Sequence, residues 1–355
     1  MLVNYFYIKY IVNEWMRELV IGDLHFGIKN NSVTWLESQL SFFEKQIFNI
    51  IKSEDLDRIV FLGDVTDVRY AINQQVGIEV KNIIRKLAKN FNKDIYFVCG
   101  NHDYYSPLEE FINYNSYELL FGEEFLEKYP NVHFITNQPY LSEDGSLFLP
   151  FYWTENPDHF DELLYTYKFG IEVKAIYCHA DLTCWPGARI TALKGCPIFS
   201  GHIHYIVEDN IGNLHNIGAA LPLTFNDVNQ ERFVYILEDY KIVKKIKNVT
   251  TPQFKQLYNE KIFEATPDIF DNSYIRLCIS SSNINKARYV DQIKYIKSTY
   301  LDSNIRINVI DEYDSGEMLS VEGFNTNIQT YIEDNIPSHL NVKYEYLKNK
   351  LKEEA

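Results

Sequence analysis

Seven side chains that can bind divalent metal ions occur in order within the first 204 residues of the chain. Imidazole, carboxylate and amide ligands without a thiolate favour borderline or hard divalent ions. Two such ions, roughly 3.5–4 Å apart, need a carboxylate to bridge them and together activate a water molecule for attack on phosphorus. The residue types therefore predict a two-metal phosphoesterase site. Its predicted ligands are Asp23, His25, Asp64, Asn101, His179, His202 and His204.

The order of the motifs is more specific than any one of them. A single D-x-H or H-x-H is more often a surface or core feature than a metal site. Five of the nine histidines fall in the motifs, and the remaining four are expected to have structural or surface roles. Those four are His133, His159, His215 and His339.

The elements that position these residues are short apolar runs, each followed directly by a motif. RELVIG, RIVFLG, IYFVCG, VKAIYC and CPIFSG are typical of the buried strands of an α/β domain. Ligands collect at the carboxyl ends of strands in open α/β sheets, so the motifs should converge. A glycine before a motif is expected where the strand turns sharply beneath a bound phosphate.

Bulk composition limits the class of protein. The chain has 355 residues, is 46% hydrophobic, and carries a net charge of −15, which disfavours a free-standing, charge-driven nucleic-acid binder. Cys99 and Cys178 fall inside apolar runs, which indicates a reduced, cytoplasmic protein. Apolar stretches are far shorter than a membrane span, so no membrane association is expected.

Changes in pattern along the chain predict four segments. Residues 1–15 form an N-terminal extension or reflect a start codon placed too early, and residues 16–250 form the catalytic domain. Residues 251–320 follow a strand, helix, strand pattern that predicts a small appended domain. Residues 321–355 form a charged, helical C-terminal segment.

The motif series D-x-H, GD-x-x-D, GNH[DE], H and GH-x-H resembles that of the calcineurin-like metallophosphoesterase superfamily over roughly residues 17 to 240. The resemblance implies an α/β fold, a four-layer α/β/β/α sandwich, with a small α+β capping domain. It also implies how the ligands divide. One metal is held by Asp23, His25, Asp64 and His204, and the other by Asp64, Asn101, His179 and His202, so that Asp64 bridges them.

The same resemblance implies catalytic roles for two further residues. His102 faces the scissile phosphate and protonates the leaving oxygen, and Asp67 holds its imidazole. Asp103 is expected to be structural. The favoured cofactor is a pair of Mn²⁺ ions, with Mg²⁺, Zn²⁺ or Fe²⁺ as alternatives.

Segments between the motifs, such as GDLHFGIKN and GDVTDVRYAI, resemble the nuclease subunit of SbcCD-type DNA repair complexes, in its phage recombination endonuclease version. In cellular members a histidine commonly occupies the position of Asp67, so the residue that orients His102 differs here. This likeness implies DNA as substrate, an SbcC-like coiled-coil ABC-type ATPase subunit as partner, and a homodimer as one oligomeric state. Residues 325 to 353 either contact that ATPase or pack on their own domain, and Lys29 and Arg69 are candidate substrate-binding cations.

Two other functions stay open at this point. The same chemistry could act on a phosphoprotein, a cyclic nucleotide or a nucleotide, which the net acidity favours. A catalytically silent protein that only binds a partner is the other alternative, but such proteins usually lose ligands and this chain retains all seven.

Overall fold

The structure, a computed structural model, describes most of the chain between residues 15 and 310. The described ranges are 15–67, 71–106, 113–155, 173–181, 196–208, 214–228, 230–271, 273–300 and 304–310. Arg69, the segment 325–353 and almost all of the N-terminal extension lie outside them.

Two six-stranded sheets form the centre of the molecule. The strands of the first sheet are β1 (Arg17–Ile21), β2 (Arg58–Phe61), β3 (Asp94–Val98), β4 (Val132–Ile135), β11 (Phe233–Glu238) and β12 (Lys241–Lys247). Those of the second are β5 (Tyr140–Leu141), β6 (Ser146–Leu149), β7 (Ala175–His179), β8 (Ile198–Gly201), β9 (Val207–Glu208) and β10 (Leu214–Asn216). The first sheet has the order β12-β11-β1-β2-β3-β4, in which β1 to β4 are parallel and β11 pairs antiparallel with β1. The second has the order β5-β6-β7-β8-β10-β9, with β6, β7, β8 and β10 parallel.

The sheets pack face to face because alternate residues of each strand point to opposite sides. Val20 and Val60 of the first sheet meet Phe148, Tyr177 and Phe199 of the second in one buried cluster. The strand residues between them, such as Leu19, face the other way into a larger core shared with helices. The mixed α/β fold predicted from the sequence is confirmed.

Helices cover the outer face of the first sheet. Apolar residues recur every three or four positions in α4 (Gln74–Asn90), the spacing of a helix that lies on a sheet, and Val76, Val80, Ile83 and Leu87 are buried. Asn73 caps this helix by accepting a hydrogen bond from Val76 N (2.8 Å). The elements of this region are α1 (Ile28–Asn31), α2 (Val33–Phe42), a π-helical segment (Phe43–Ile47), α3 (Phe48–Ser53) and α4 (Gln74–Asn90). Shorter helices follow as α5 (Ser116–Leu120), α6 (Gly122–Lys128) and α7 (Phe151–Glu155), with a 3-10 turn at Phe225–Asp227.

A third sheet follows the second, with three parallel strands in the order β13-β14-β15. Its strands alternate with helices and enclose a separate apolar cluster that includes Ile275, Leu277 and Tyr289. Its elements are β13 (Gln253–Tyr258), α8 (Lys261–Glu264), α9 (Pro267–Phe270), β14 (Ser273–Ser280), α10 (Ala287–Thr299) and β15 (Asn304–Ile310). The strand, helix, strand order matches the sequence pattern, whereas the domain limits stay a prediction.

A strained turn connects the first motif to helix α2. Within α1, the non-glycine residues Lys29, Asn30 and Asn31 all have φ between 57° and 59°. L-residues pay roughly 1–2 kcal/mol each for this left-handed conformation, which asparagine tolerates better than lysine does. The turn is closed by Asn31 N, which donates to Gly27 O (2.8 Å), so the strain is maintained by local hydrogen bonding.

Candidate metal centre

All five motifs lie at the carboxyl ends of neighbouring strands, where the two central sheets meet. Asp23 follows β1, Asp64 follows β2 and Asn101 follows β3, whereas His179 ends β7 and His202 follows β8. The convergence expected from strand order therefore occurs between two sheets instead of along the edge of one.

One group of ligands surrounds the first motif. The Nε2 atoms of His25 and His204 are 3.2 Å apart, and Asp23 Oδ2 lies 3.9 Å from the first and 3.7 Å from the second. Asp64 Oδ2 is 3.6 Å from His25 Nε2. The four side chains thus direct their donor atoms at one point, as a single metal ion requires.

The second group is centred on the amide of Asn101. Its Oδ1 atom lies 2.9 Å from His179 Nε2 and 2.9 Å from His202 Nδ1. Asp64 Oδ2 is 3.3 Å from His179 Nε2, so the same carboxylate oxygen faces both groups. These distances fit the division of ligands, with Asp64 as the bridge, that the resemblance implies.

The two buried carboxylates of the site, Asp23 and Asp64, favour the binding of cations. Asp23 and Asp64 are almost completely buried, and in the described part of the chain only histidines come within ion-pair distance of them. A buried carboxylate without a positive partner is costly. The donor set of carboxylates, imidazoles and an amide suits divalent ions, so the residues fit a two-metal site.

The pKa values of Asp64 and His179 also indicate that the site favours a bound positive charge. Burial acts to raise the pKa of Asp64, but the His179 charge and hydrogen bond bring it below its ordinary value. Burial acts against protonation of His179, but Asp64 raises its pKa to about 9. A bound divalent ion would take the place of this proton, because a ligating imidazole must be neutral.

Contacts behind the ligands fix which histidine nitrogen faces the centre. His179 Nδ1 donates to Leu62 O (2.7 Å), and His25 Nδ1 contacts Asp67 Oδ1 (2.8 Å). Such partners orient the imidazole and leave Nε2 free for the metal. Both rings are therefore held in a ligating orientation before any ion binds.

The motif glycines are needed for close packing more than for turning, which corrects the expectation of a sharp turn at every motif. Among those before motifs, only Gly63 has a positive φ, of 92°. At Gly201 a Cβ would collide with Asp23 Oδ1, and at Gly100 it would collide with Asp64 Oδ1. The ligands pack directly on these glycines, so even a methyl group would displace a carboxylate.

Three ligands are themselves in a strained backbone conformation. His25, Asp64 and His202 have φ values of 50°, 48° and 79°. Strain of this kind costs of order 1–3 kcal/mol per residue and persists only where the surroundings impose it. Here His25 N donates to Asp64 O (2.8 Å), and His202 N donates to Asp23 Oδ1 (3.2 Å), so the motifs lock one another.

His102 lies at the rim of the ligand groups, with about one third of its side chain exposed (33%). Its Nδ1 is 3.3 Å from Asp67 Oδ1 and 3.2 Å from Asp67 O, so Asp67 contacts both His102 and His25. Burial would raise the pKa of Asp67, but its hydrogen bonds to the two histidines lower it to about 2. His102 also lies close enough to His25 and Asp64 for these three to hold one ion, which differs from the non-ligand role that the resemblance implies.

Lys29, one of the two candidate substrate-binding cations, is not part of these groups. Lys29 lines a separate cavity beside the third sheet, with Trp35 and Arg306. Arg69 lies outside the described residues. The role of either residue in substrate binding stays a prediction.

Several supporting residues have no motif that identifies them. Buried Gln39 donates to Leu24 O (2.6 Å) and His25 O (2.9 Å), and a polar residue within the apolar stripe of α2 is the sequence signal that points to it. Arg232 donates to His204 O and pairs with Asp227 (2.6 Å), and no sequence signal singles it out. Asp103 is buried and accepts from Thr66 N (2.8 Å) and Gly100 N (2.9 Å), a structural role as expected.

Comparison with known proteins agrees with this geometry. No curated protein matches the chain, whereas 52 chains of solved structures do. One of them is 14% identical over 66% of this chain and 99% of its own length, with a TM-score of 0.39, which is too low to carry an argument. The model of the calcineurin-like phosphoesterase family matches residues 16–206, more than half of the chain. This chain therefore belongs to the calcineurin-like phosphoesterase family and is a metal-dependent phosphoesterase.

Proposed function

We propose that the chain is a two-metal-dependent DNA nuclease, the exonuclease and endonuclease subunit of an SbcCD-like recombination and repair complex. The observation that carries this proposal is the third sheet beside the first motif. Phe254 of β13 and Tyr274 of β14 stack on Trp35 of the catalytic unit, with ring centroids 5.7 Å and 5.1 Å away. A polymeric substrate contacts a protein over a longer surface than a small phosphoester does, so an additional unit packed on α2 favours a polymer as substrate.

Metal binding and proton transfer would be carried out by different residues of the chain. Asp23, His25, Asp64 and His204 would hold one ion, and Asp64, Asn101, His179 and His202 the other. When bound, the metal pair supplies charge neutralisation on the phosphate and acidifies a water molecule. His102 supplies a proton to the leaving oxygen. Asp67 contacts the Nδ1 atom of His102 and so keeps that nitrogen directed away from the substrate.

An ATPase partner would explain how a subunit with an acidic surface can act on DNA. A net charge of −15 repels DNA, so a partner that binds the duplex could deliver it to this subunit. The partner is proposed to contact residues 325 to 353. Copurification from the native source tests this: an associated large coiled-coil ATPase is expected, and a chain that purifies alone would contradict the subunit assignment.

The substrate is tested with a panel of phosphoesters and the Mn²⁺-loaded full-length chain. We expect hydrolysis of single-stranded DNA, duplex ends and bis-p-nitrophenyl phosphate, and none by the Asp64→Ala variant. The net acidity favours a second candidate, a phosphatase or phosphodiesterase acting on a phosphoprotein or nucleotide. Turnover of a phosphopeptide without any DNA cleavage would establish that candidate and refute the nuclease.

A further inference from the structure

A cavity of about 310 Å³ lies where the segment after the first motif, residues 29–35, meets the third sheet. Its walls come from both parts of the chain. Lys29, Ser32, Thr34 and Trp35 belong to the segment after the first motif, and Tyr274 and Arg306 belong to β14 and β15. It is large enough for one small polar ligand or one unit of a polymer.

The cavity is lined by two cations that have no acidic partner in the described part of the chain. Lys29 follows the first motif and Arg306 lies on β15. Both are solvent-exposed, and neither is within ion-pair distance of a carboxylate among the described residues. Elsewhere in the described part of the chain, cations such as Lys86 pair with a carboxylate, in that case Glu44. Two unpaired cations facing one cavity indicate an anionic ligand.

The other lining groups suit a phosphate carried on a planar organic group. Ser32 and Thr34 contribute hydroxyls that can donate to phosphate oxygens. Trp35 and Tyr274 stack nearly parallel, with an interplanar angle of 9°, and Phe254 packs against both. The three rings are almost completely buried, so one wall of the cavity is an aromatic surface.

The backbone at Lys29 supports a functional role for this cation. Lys29 has φ 57°, a conformation that glycine or asparagine adopts at lower cost. A lysine in this position is strained, and strain at a polar cavity points to function. Lys29 also follows the metal-ligand candidate His25 by only four residues, which connects the cavity to the metal centre along the chain.

We propose that this cavity binds a nucleotide phosphate other than the scissile one, held by Lys29 and Arg306 with the aromatic stack beside it. The inference rests on the proposed function, because it takes the polynucleotide substrate as the source of that phosphate. A free mononucleotide presents the same chemistry, so the two sources are separated by experiment.

The test uses full-length Mn²⁺-loaded protein in a His102→Ala background, so that DNA binds without turnover. Binding of short fluorescein-labelled single-stranded DNA and of thymidine 5′-monophosphate is measured by anisotropy and calorimetry. Lys29→Asn removes the charge and keeps a residue suited to φ 57°, and Arg306→Gln removes the second charge. We expect each to weaken DNA binding about 10-fold and to lower the slope of log K against log salt by about 1.

Matched variants separate the cavity from general charge effects. Arg306→Lys should retain most of the affinity, and Lys294→Gln, which removes an exposed cation of α10 elsewhere on the same unit, should bind as the parent does. If only the mononucleotide depends on Arg306, the cavity holds a free nucleotide and the strand is not its source.

Two results would overturn the proposals separately. Unchanged affinity for both ligands in Lys29→Asn and Arg306→Gln, in a protein whose wild type cleaves DNA, refutes the phosphate cavity and leaves the nuclease standing. Absence of DNA cleavage by the wild type, with hydrolysis of other phosphoesters, refutes the nuclease. In that case, the binding of thymidine 5′-monophosphate by Lys29→Asn and Arg306→Gln tests the phosphate cavity independently of the nuclease.

Discussion

At the scale of single residues, the carboxylate of Asp67 connects the metal ligands to the catalytic histidine candidate. Asp67 Oδ1 is 2.8 Å from His25 Nδ1 and 3.3 Å from His102 Nδ1. The resemblance assigns Asp67 to His102 alone, whereas the shorter contact is to His25. One carboxylate therefore has two tasks, to orient a ligand and to orient an acid.

Replacing Asp67 by Asn should affect both tasks. The partner of a ligating histidine typically contributes 10–100-fold to metal affinity, so we expect the metal dissociation constant to rise by about that factor. At saturating metal, kcat should still be reduced because His102 loses its orienting charge. Metal titration of activity separates the two effects, and an unchanged metal affinity would assign Asp67 to His102 only.

Replacing His102 by Ala should reduce turnover and spare metal binding. A general acid typically contributes about 10²–10⁴-fold, so kcat should fall by that factor while both ions stay bound. Elemental analysis of the purified variant gives the metal content beside the kinetics. If the variant lost one ion, His102 would be a ligand, as its position near His25 and Asp64 allows.

Much of this residue-scale picture follows from the motif order, which brings together the seven candidate ligands. The shared role of Asp67 does not, because it depends on distances of a few tenths of an ångström between side chains from three loops. Nothing in the sequence identifies Arg232, which acts on a backbone carbonyl, and only its polar character among apolar neighbours points to Gln39.

At the scale of elements, close approach between strand ends determines the site. Gly201 ends β8 directly against Asp23 and Leu62 O, both buried, so neither neighbour can give way easily. The apolar runs predict these strands, and the helical spacing of apolar residues from Val76 to Leu87 indicates α4. The π-helical segment after α2 and the left-handed turn of α1 are not predicted from the sequence, because local residue preferences favour neither conformation.

A methyl group at Gly201 should therefore damage the metal centre. We expect Gly201→Ala to cost about 1–3 kcal/mol of stability through overpacking and to weaken metal binding at least 10-fold. Gly77→Ala is the matched control, because a Cβ in this first turn of α4 would meet only side-chain atoms, Leu120 Cδ2 at 3.4 Å and Ile72 Cγ2 at 3.9 Å. That change should stabilise the fold by roughly 0.5–1 kcal/mol; equal metal affinity in the two variants would contradict the packing argument.

At the scale of the whole molecule, the two central sheets share a buried polar cluster. Arg58 of β2 pairs with Glu18 of β1 at 2.9 Å and with Asp144 at 2.8 Å, and it also contacts Tyr177 of β7 at 3.0 Å. Burial raises the pKa of Glu18, although Arg58 and Tyr177 act in the opposite direction. The sequence placed Glu18 and Arg58 on strands, but only the packing of the two sheets explains why they are charged.

Removing Arg58 should leave Glu18 as a buried, uncompensated carboxylate. We expect Arg58→Met to lower the free energy of unfolding by about 3–5 kcal/mol, and the double variant Glu18→Gln/Arg58→Met to recover most of it. Without Arg58 the folded chain should hold the Glu18 proton still more tightly than the unfolded chain does, so the deficit should shrink as the pH falls toward the ordinary pKa of a glutamate. Urea denaturation measures both, and a double variant no more stable than the single one would contradict this.

The central claim is that seven converging side chains bind two divalent ions for phosphoester hydrolysis. It is tested most directly by stripping the full-length protein of metal, titrating Mn²⁺, and measuring bound metal and hydrolysis of bis-p-nitrophenyl phosphate in the same samples. The account predicts about two ions per chain, with activity that appears as the second ion binds. Full activity with a single ion bound, or no hydrolysis of any phosphoester at two ions per chain, would contradict it.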